Sequence, residues 1–535
     1  MRNDEKWTWD RQDEAALQET ILQLVRIPSV TGSQAEHDVA SYLADRLRQV
    51  ECAAADRTFE VEHFTTKDGQ QTGVGALYRG HATRRTVVLI AHTDVVGVSD
   101  FGPNGQDAFD IPVWTARLLQ GEVPLPAHAK ADTMRGRWWF GRGVMDMKTG
   151  LAVHLHLFEK ACKVGADSNL VFLAVPDEES QSRGMIAAVD LLRHWRQMYD
   201  LEYVLCLNGE PSFVPSDATS GAHIYSGTFG KILLGALAVG VPGHVGMPFS
   251  GLNAIQMISH LTTTLEAHPD VSEYTEQHKL VPVTCLWQRD LQETYSVQSP
   301  HMAAAFFHVP FFRRSPSQVL NLLRQTSDGA MRTLQHQIET AARKAGLLTS
   351  GEGHYITVHW LSELLSAEQN VLVSDDKDPL TGTLCAVKDI VNQAQVSHTG
   401  RLVLFIAPPV YPPVDASPDP VVSACIHRAK HVARERFDIQ LEDRTAFPGL
   451  CDLSYTGYQL SQDWSGIARE MPGWGSAYSL PLQTMAELSI PVCNLGPYGK
   501  DAHQWTERLD VDYATRVLPA LSMAVIEQAW SGCRQ

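Results

Sequence analysis

Apolar residues recur at helical spacing along the first fifty positions. Leu17, Ile21, Leu24 and Val25 share one face, Pro28 and Gly32 end that segment, and Val39, Leu43 and Leu47 open a second one. Further on, the pattern changes to short, unbroken apolar runs separated by helical stretches. Residues 86–90, 170–175, 203–207 and 492–495 are runs of this kind, and 401–406 is another. A strand without polar alternation is buried on both faces, the situation of a parallel sheet covered by helices. The expected fold is α/β, a mostly parallel sheet with helices on both faces.

The stretch 228–360 reads differently. A strand at 231–239 precedes a helix marked by Ile255, Ile258, Leu261 and Leu265. A strand at 303–309 precedes a long helix opened by Val319, Leu322 and Leu323, and 356–360 supplies a closing strand. This order predicts a smaller α+β domain at 228–360, inserted between two parts of the larger domain at 1–227 and 361–535. Joints are expected near 227–230 and beyond Trp360. The run at 401–406 is assigned to the larger domain, and Pro408, Pro409, Pro412 and Pro413 predict a stiff turn.

Composition narrows the function classes. The chain has 535 residues, 44% apolar and 20% charged, with a formal charge of −17. That is a globular balance, and the negative excess argues against a nucleic-acid partner, which would favour a basic face. The nine cysteines are scattered and form no C-x-x-C pair, as reduced thiols do. The charged N-terminal stretch lacks the apolar core of a secretory leader, and no apolar run approaches the roughly 18–20 residues of a membrane span. A soluble, cytoplasmic protein is expected.

The chemistry sits where the apolar runs end. TVVLIA leads into His92 and Asp94, LVFLAV into Asp177, Glu178 and Glu179, YVLCL into Asn208 and Glu210, and PVCNL is followed by His503. In an open α/β sheet the ligand crevice lies at the carboxyl ends of the strands. A further acid, Asp146, stands in GRGVMDMKTG just before a helix, where alone it could be an N-cap. Imidazoles and carboxylates converging on one edge suit one or two borderline divalent metals, with zinc the first expectation and manganese or cobalt the other candidates.

The motifs HTD, GRGxxDMKxG, PDEES, NGEPS and AHxxxE, in this order and over nearly the whole chain, resemble those of the M20 family of metallopeptidases and amidohydrolases. The resemblance implies a two-metal hydrolase. His92 and Glu210 would share one metal, Glu179 and His503 the other, and Asp146 would bridge them. Two such ions about 3.5–4 Å apart acidify a bridging water and polarise the scissile carbonyl. Glu178 resembles the general base, and Asp94 the acid that orients the His92 imidazole. Adjacent in sequence, Glu178 and Glu179 would point in different directions. In VPGHVGMPFSGLNAI, His244 resembles the lid histidine that donates to the oxyanion, often in a partner subunit's site, and Asn253 a substrate contact. Arg313 resembles the lid arginine that holds a substrate carboxylate, although Phe311 replaces the usual acid two residues earlier. Gly496 and Gly499 could let the backbone approach the substrate.

Two stretches exceed the shorter family members: one near 99–139, rich in tryptophan, and one near 410–490 containing FPGLCDLSYTG, with Asp452, Ser454 and Tyr455. With APPVYPPV they resemble the longer arginine-utilisation, RocB-type branch. That implies hydrolysis of an amide, peptide or ureido bond of a small amino-acid derivative, such as an N-acyl or N-carbamoyl amino acid, in arginine or citrulline breakdown. A di- or tripeptidase or carboxypeptidase is the alternative within the family, and a non-catalytic ligand-binding member the alternative outside catalysis. Partners expected from the resemblance are a small molecule or short peptide and a second copy of the chain, paired through the inserted domain.

Overall fold

A computed structural model describes residues 7–52, 58–80, 83–215, 221–247, 249–273, 282–347, 355–365, 373, 378–393, 399–459 and 462–531. The chain divides into two compact units. One takes Met1–Thr228, Val414–Gln459 and Pro481–Gln535; the other takes Phe229–Pro413 and Leu460–Leu480.

The first unit is built on an eight-stranded sheet. Its centre is parallel: Asn169–Val175, Arg85–His92, Glu202–Asn208 and Val492–Asn494 lie side by side in that order. The apolar runs explain their place, since Val87, Leu89, Val171, Leu173 and Leu205 are all fully buried. The flanks are mixed. Phe59–Thr65 and Thr72–Tyr78 form an antiparallel pair on one side, and His223–Tyr225 joins antiparallel on the other. The sheet is thus parallel where the site motifs arise and mixed toward its margins. The register brings His92 beside Val175, and Asn208 beside both Ile90 and Asn494, so the strand ends that carry the motifs are level. The helix Lys148–Val164 follows Asp146 and stops at Gly165, which takes the left-handed conformation that glycine accepts without strain.

The second unit holds a five-stranded sheet in the order Thr284–Asp290, Met302–Phe311, Gly230–Val239, Gly400–Tyr411, Ile356–Trp360. The long helix Pro316–Lys344 begins with a capping box between Ser315 and Gln318 and with Pro316 in its first turn. The helix Pro379–Gln393 buries Leu384, Val387 and Val391 against Leu237, Phe306, Val403 and Phe405 of the sheet.

Three expectations are corrected here. The 401–406 run belongs to the second unit, pairing antiparallel with Gly230–Val239 from Arg401–Val239 to Ala407–Leu233. An apolar run identifies a strand but not its neighbour. The main segment of this unit therefore runs to Pro413 and does not stop near 360. Second, Leu460–Leu480 also joins it. Glu470 accepts from the Ser362 amide at 2.9 Å and its hydroxyl at 2.7 Å, and the Tyr478 hydroxyl accepts from the Val410 amide at 3.1 Å. Third, Pro408 and Pro409 lie inside Gly400–Tyr411, where the register shifts between Ala407 and Tyr411. Proline has no amide for the ladder, so the strand bulges instead of turning.

No disulfide joins the described cysteines. Among the described residues no helix is long and apolar enough to cross a membrane.

Candidate metal centre

The carboxyl ends of the parallel strands bring His92, Glu178, Glu179 and Glu210 together, and two loops add Asp146 and His503. The helix after Asp146 takes Met147 as its N-cap residue, with no side-chain cap. The Asp146 carboxylate instead divides between two imidazoles: Oδ1 lies 3.2 Å from His92 Nε2, and Oδ2 lies 3.2 Å from His503 Nε2. Beyond them, His92 Nε2 is 3.5 Å from Glu210 Oε1, and His503 Nε2 is 3.0 Å from Glu179 Oε1. Two donor groups result. His92, Glu178 and Glu210 form one that could hold a metal ion, and His92, Asp146 and Glu179 form another.

Each ligand has a local reason for its position. Asp177, with φ 67°, turns the chain after Val175, and its carboxylate accepts from the Arg183 amide and Nε at 3.1 and 2.8 Å. The next two residues leave that turn toward different partners, Glu178 to the His92–Glu210 side and Glu179 to His503. Glu210 is held by its backbone. Asn494 Nδ2 donates to the Glu210 carbonyl at 2.9 Å. Gly496 lies so close that a Cβ there would come within 2.2 Å of the same carbonyl oxygen and 2.3 Å of the one at Gly209. The need for glycine at 496 is met by this packing against the ligand-bearing backbone.

Asp94 acts differently from the expectation. His92 Nδ1 is 3.0 Å from the Asp94 carbonyl oxygen, while the Asp94 carboxylate is 3.7 Å away. A carbonyl can only accept, so Nδ1 donates to it and Nε2 faces Asp146 and Glu210. The carboxylate accepts from the amides of Glu178 and Glu179, both at 3.1 Å, and from Thr31 Oγ1 at 2.9 Å. It ties the strand bearing His92 to the turn bearing the two glutamates.

Charge at the site is unbalanced. His92, Asp94, Asp146, Glu178, Glu210 and Asp452 are all buried. Burial, reinforced by Glu210, pushes Glu178 well above the carboxylate range; burial likewise raises Glu210, with Asp146 adding to it. Asp452 is pushed up to about 7 and Asp94 to about 6, chiefly by burial. Asp146 alone goes down: its hydrogen bonds to His503 and His92 outweigh burial. Against burial, Glu210 and Asp146 raise His92 well above the usual imidazole range, and Asp146 and Glu179 push His503 up to about 11. Acids that compete for protons in this way lack a counter-charge. The nearby Lys148 does not supply it. Its ammonium donates to the carbonyls of Leu24 and Ile27 at the end of the first helix, and burial lowers its pKa to about 7. Mixed imidazole and carboxylate donors around buried negative charge fit borderline divalent cations.

The sequence reading assigned no role to Glu507, the last residue of AHxxxE, or to Asp452. Glu507 is fully buried. Its Oε1 accepts from the amides of Met145 and Asp146 at 3.1 and 3.3 Å, and its Oε2 from Arg142 at 2.9 Å. The motif itself was the available signal for Glu507. Asp452, at the start of the short helix Leu453–Thr456, is a neighbour whose charge raises both Glu178 and Glu210. The signal for it was an acid inside an otherwise apolar stretch.

The residues expected to bind substrate from the inserted domain lie in the second unit. His244 is exposed, and its Nδ1 accepts from the Gly246 amide at 3.1 Å. Asn253 caps the helix Ala254–Leu265 through the Ile255 amide at 2.9 Å. Arg313 is exposed, with its guanidinium 5.7 Å from the centre of the Phe312 ring.

Residues 120–518 match the peptidase family M20/M25/M40. The chain belongs to this family. It is accordingly a hydrolase of the metallopeptidase type. Near-full-length M20 relatives include the uncharacterized protein YqjN of Bacillus subtilis, 33% identical over 96% of each chain. Protein RocB of the same organism is 28% identical over 93% of this chain and 92% of its own. A succinyl-diaminopimelate desuccinylase of Nitrobacter hamburgensis is 30% identical over 46% of this chain and 56% of its own. A tripeptidase from Staphylococcus aureus shares the fold, with a TM-score of 0.56 at 13% identity, covering 97% of this chain and 99% of that one. So does a di-peptidase from Saccharomyces cerevisiae, with a TM-score of 0.56 at 12% identity and 98% of each chain covered.

Proposed function

We propose that this M20 hydrolase cleaves an amide or ureido bond of a small N-acyl or N-carbamoyl amino acid, at a centre for two divalent cations, zinc foremost. The observation that carries the reading is the Asp146 carboxylate, with one oxygen on each histidine. His92 and Glu210 would hold the cation on one side, Glu179 and His503 the cation on the other, and Asp146 would belong to both. Bound there, the cations supply Lewis acidity to the scissile carbonyl and make water a stronger acid. Glu178 takes the proton from the attacking water on its carboxylate and returns it to the leaving nitrogen. Asp94 keeps the base in register with the ligands, since it holds the amides of both Glu178 and Glu179.

The substrate class rests on the near-full-length likeness to RocB and the partial likeness to a desuccinylase. From the resemblance to the arginine-utilisation branch, the reaction would belong to the breakdown of arginine or citrulline derivatives. From the family resemblance the reading also keeps His244 as oxyanion donor, Asn253 and Arg313 as substrate contacts, and a homodimer formed through the second unit.

A substrate panel tests the proposal. Metal-loaded and chelator-treated protein are offered N-acyl amino acids, N-carbamoyl amino acids and free di- and tripeptides, and released amine or ammonia is measured. Turnover of the first two classes, lost on chelation and restored by zinc, manganese or cobalt, is expected. Turnover of peptides alone would replace the reading with a peptidase, and full activity after chelation would remove the metal chemistry.

A further inference from the structure

We infer that the 99–139 stretch is a clamp that sets the Asp146–His503 side of the metal centre, with Asp132 and Trp114 as positioning residues. The inference rests on the two-cation reading above. Its geometry lies within the first unit. His503 stands on a loop between the short strands Gly499–Lys500 and Arg508–Asp510, which pair with each other and then with Trp138–Phe140. Within that loop Asp501 and His503 have φ 57° and 63°, left-handed values that non-glycine residues hold only when their surroundings impose them.

The surroundings are supplied at three points. Asp132, buried on the short helix Ala127–Thr133, accepts from Lys500 Nζ at 2.9 and 3.0 Å. It also accepts from Arg508 Nε at 2.9 Å and Nη2 at 2.7 Å. Arg508 also pairs with Asp501, which takes Thr506 Oγ1 at 2.8 Å and His128 Nε2 at 3.2 Å. The Trp138 ring lies 5.8 Å from Lys500 Nζ and 5.7 Å from the Arg508 guanidinium. Second, the fully buried Trp114 donates its indole N–H to the Trp505 carbonyl at 3.2 Å. Third, Asp100 binds Arg142 at 2.7 Å, and Arg142 binds the Glu507 carboxylate that accepts from the Asp146 amide.

A stretch that merely covered a sheet edge would do so with apolar side chains. A buried ion network costs desolvation and is a poor source of net stability. What it adds is direction, because each charge-assisted bond fixes an angle as well as a distance. Here the bonds of Asp132, His128 and Trp114 end on the segment that carries His503, and Asp100 reaches it through Arg142 and Glu507, which also holds the amide of Asp146.

The test measures zinc per chain at stepped free zinc concentrations, by elemental analysis, for wild type, Asp132→Asn, Asp132→Glu and Trp114→Phe. Wild type takes two equivalents. In the variants one equivalent keeps its affinity and the other weakens by about 10–100-fold, the usual effect of removing a group that orients a ligand. Asp132→Glu recovers part of the loss. Should Asp132→Asn fail to fold, Trp114→Phe, which keeps an aromatic side chain but loses the pyrrole ring with its N–H, decides the question: a selective loss of one zinc equivalent supports the clamp, whereas the cavity it leaves would by itself lower only the melting temperature. Two equivalents at wild-type affinity in folded variants, with only a lower melting temperature, would overturn the clamp and leave the metal reading intact. A wild-type chain that binds no zinc would overturn both.

Discussion

The two sides of the centre are built by different means. On one side His92 and Glu210 sit at the ends of adjacent parallel strands, nearly inaccessible, with their positions set by the sheet register and by Gly496. On the other side His503 stands on a loop with its side chain 46% exposed, and its position depends on charged residues distant in sequence. A ligand on a central strand inherits its place from the fold. A ligand on a loop needs dedicated support, and this chain supplies it from 99–139. The contrast also says where each side is vulnerable: backbone packing on the first, side-chain bonds on the second.

The largest effect that sharpens this contrast is expected at Glu178, which groups with the strand-borne ligands. Glu178→Gln should lower kcat by about 10²–10⁴, the usual contribution of a general base, while both metals stay bound. A variant that loses metal as well would make Glu178 a ligand instead of the base. Next comes Asp94, the link between the two sides. Asp94→Asn replaces one of the oxygens facing the Glu178 and Glu179 amides with an NH2 group. Steady-state kinetics should show a loss of about 10–100-fold, with lower zinc affinity on both sides. An effect confined to one side would mean that the link is not shared. The smallest is structural. Gly496→Ala forces the backbone of Gly209 and Glu210 to move and should cost about 1–3 kcal/mol in denaturant unfolding, the range for overpacking. The Glu210 side should then lose zinc before the His503 side does; the reverse order would break the comparison.

The strand-borne side was readable because the sheet writes itself into sequence as unbroken apolar runs that end in ligands. His92, Glu178, Glu179 and Glu210 stand out as candidates in that pattern, the resemblance divides them into roles, and the inserted unit's helices follow from their periodicity. Other features were not readable. The 401–406 run is apolar in either sheet, so only pairing could assign it. H-x-D spacing does not say whether the Asp94 carbonyl or its carboxylate meets Nδ1. Lys148 looks like a solvent-facing helix residue, since lysine is seldom buried, yet it is fully enclosed. The partners of Lys500 and Arg508 lie hundreds of positions away in the chain, and no local pattern announces such a bond.

The division of Asp146 between two cations is the central claim, and counting metal per chain in wild type and Asp146→Ala tests it most directly. After equilibration with excess zinc and removal of free ion, wild type should carry two equivalents. Asp146→Ala, if folded by circular dichroism, should carry one at most, because both sides lose a shared ligand. One equivalent in wild type, or two tightly held equivalents in Asp146→Ala, would contradict the account.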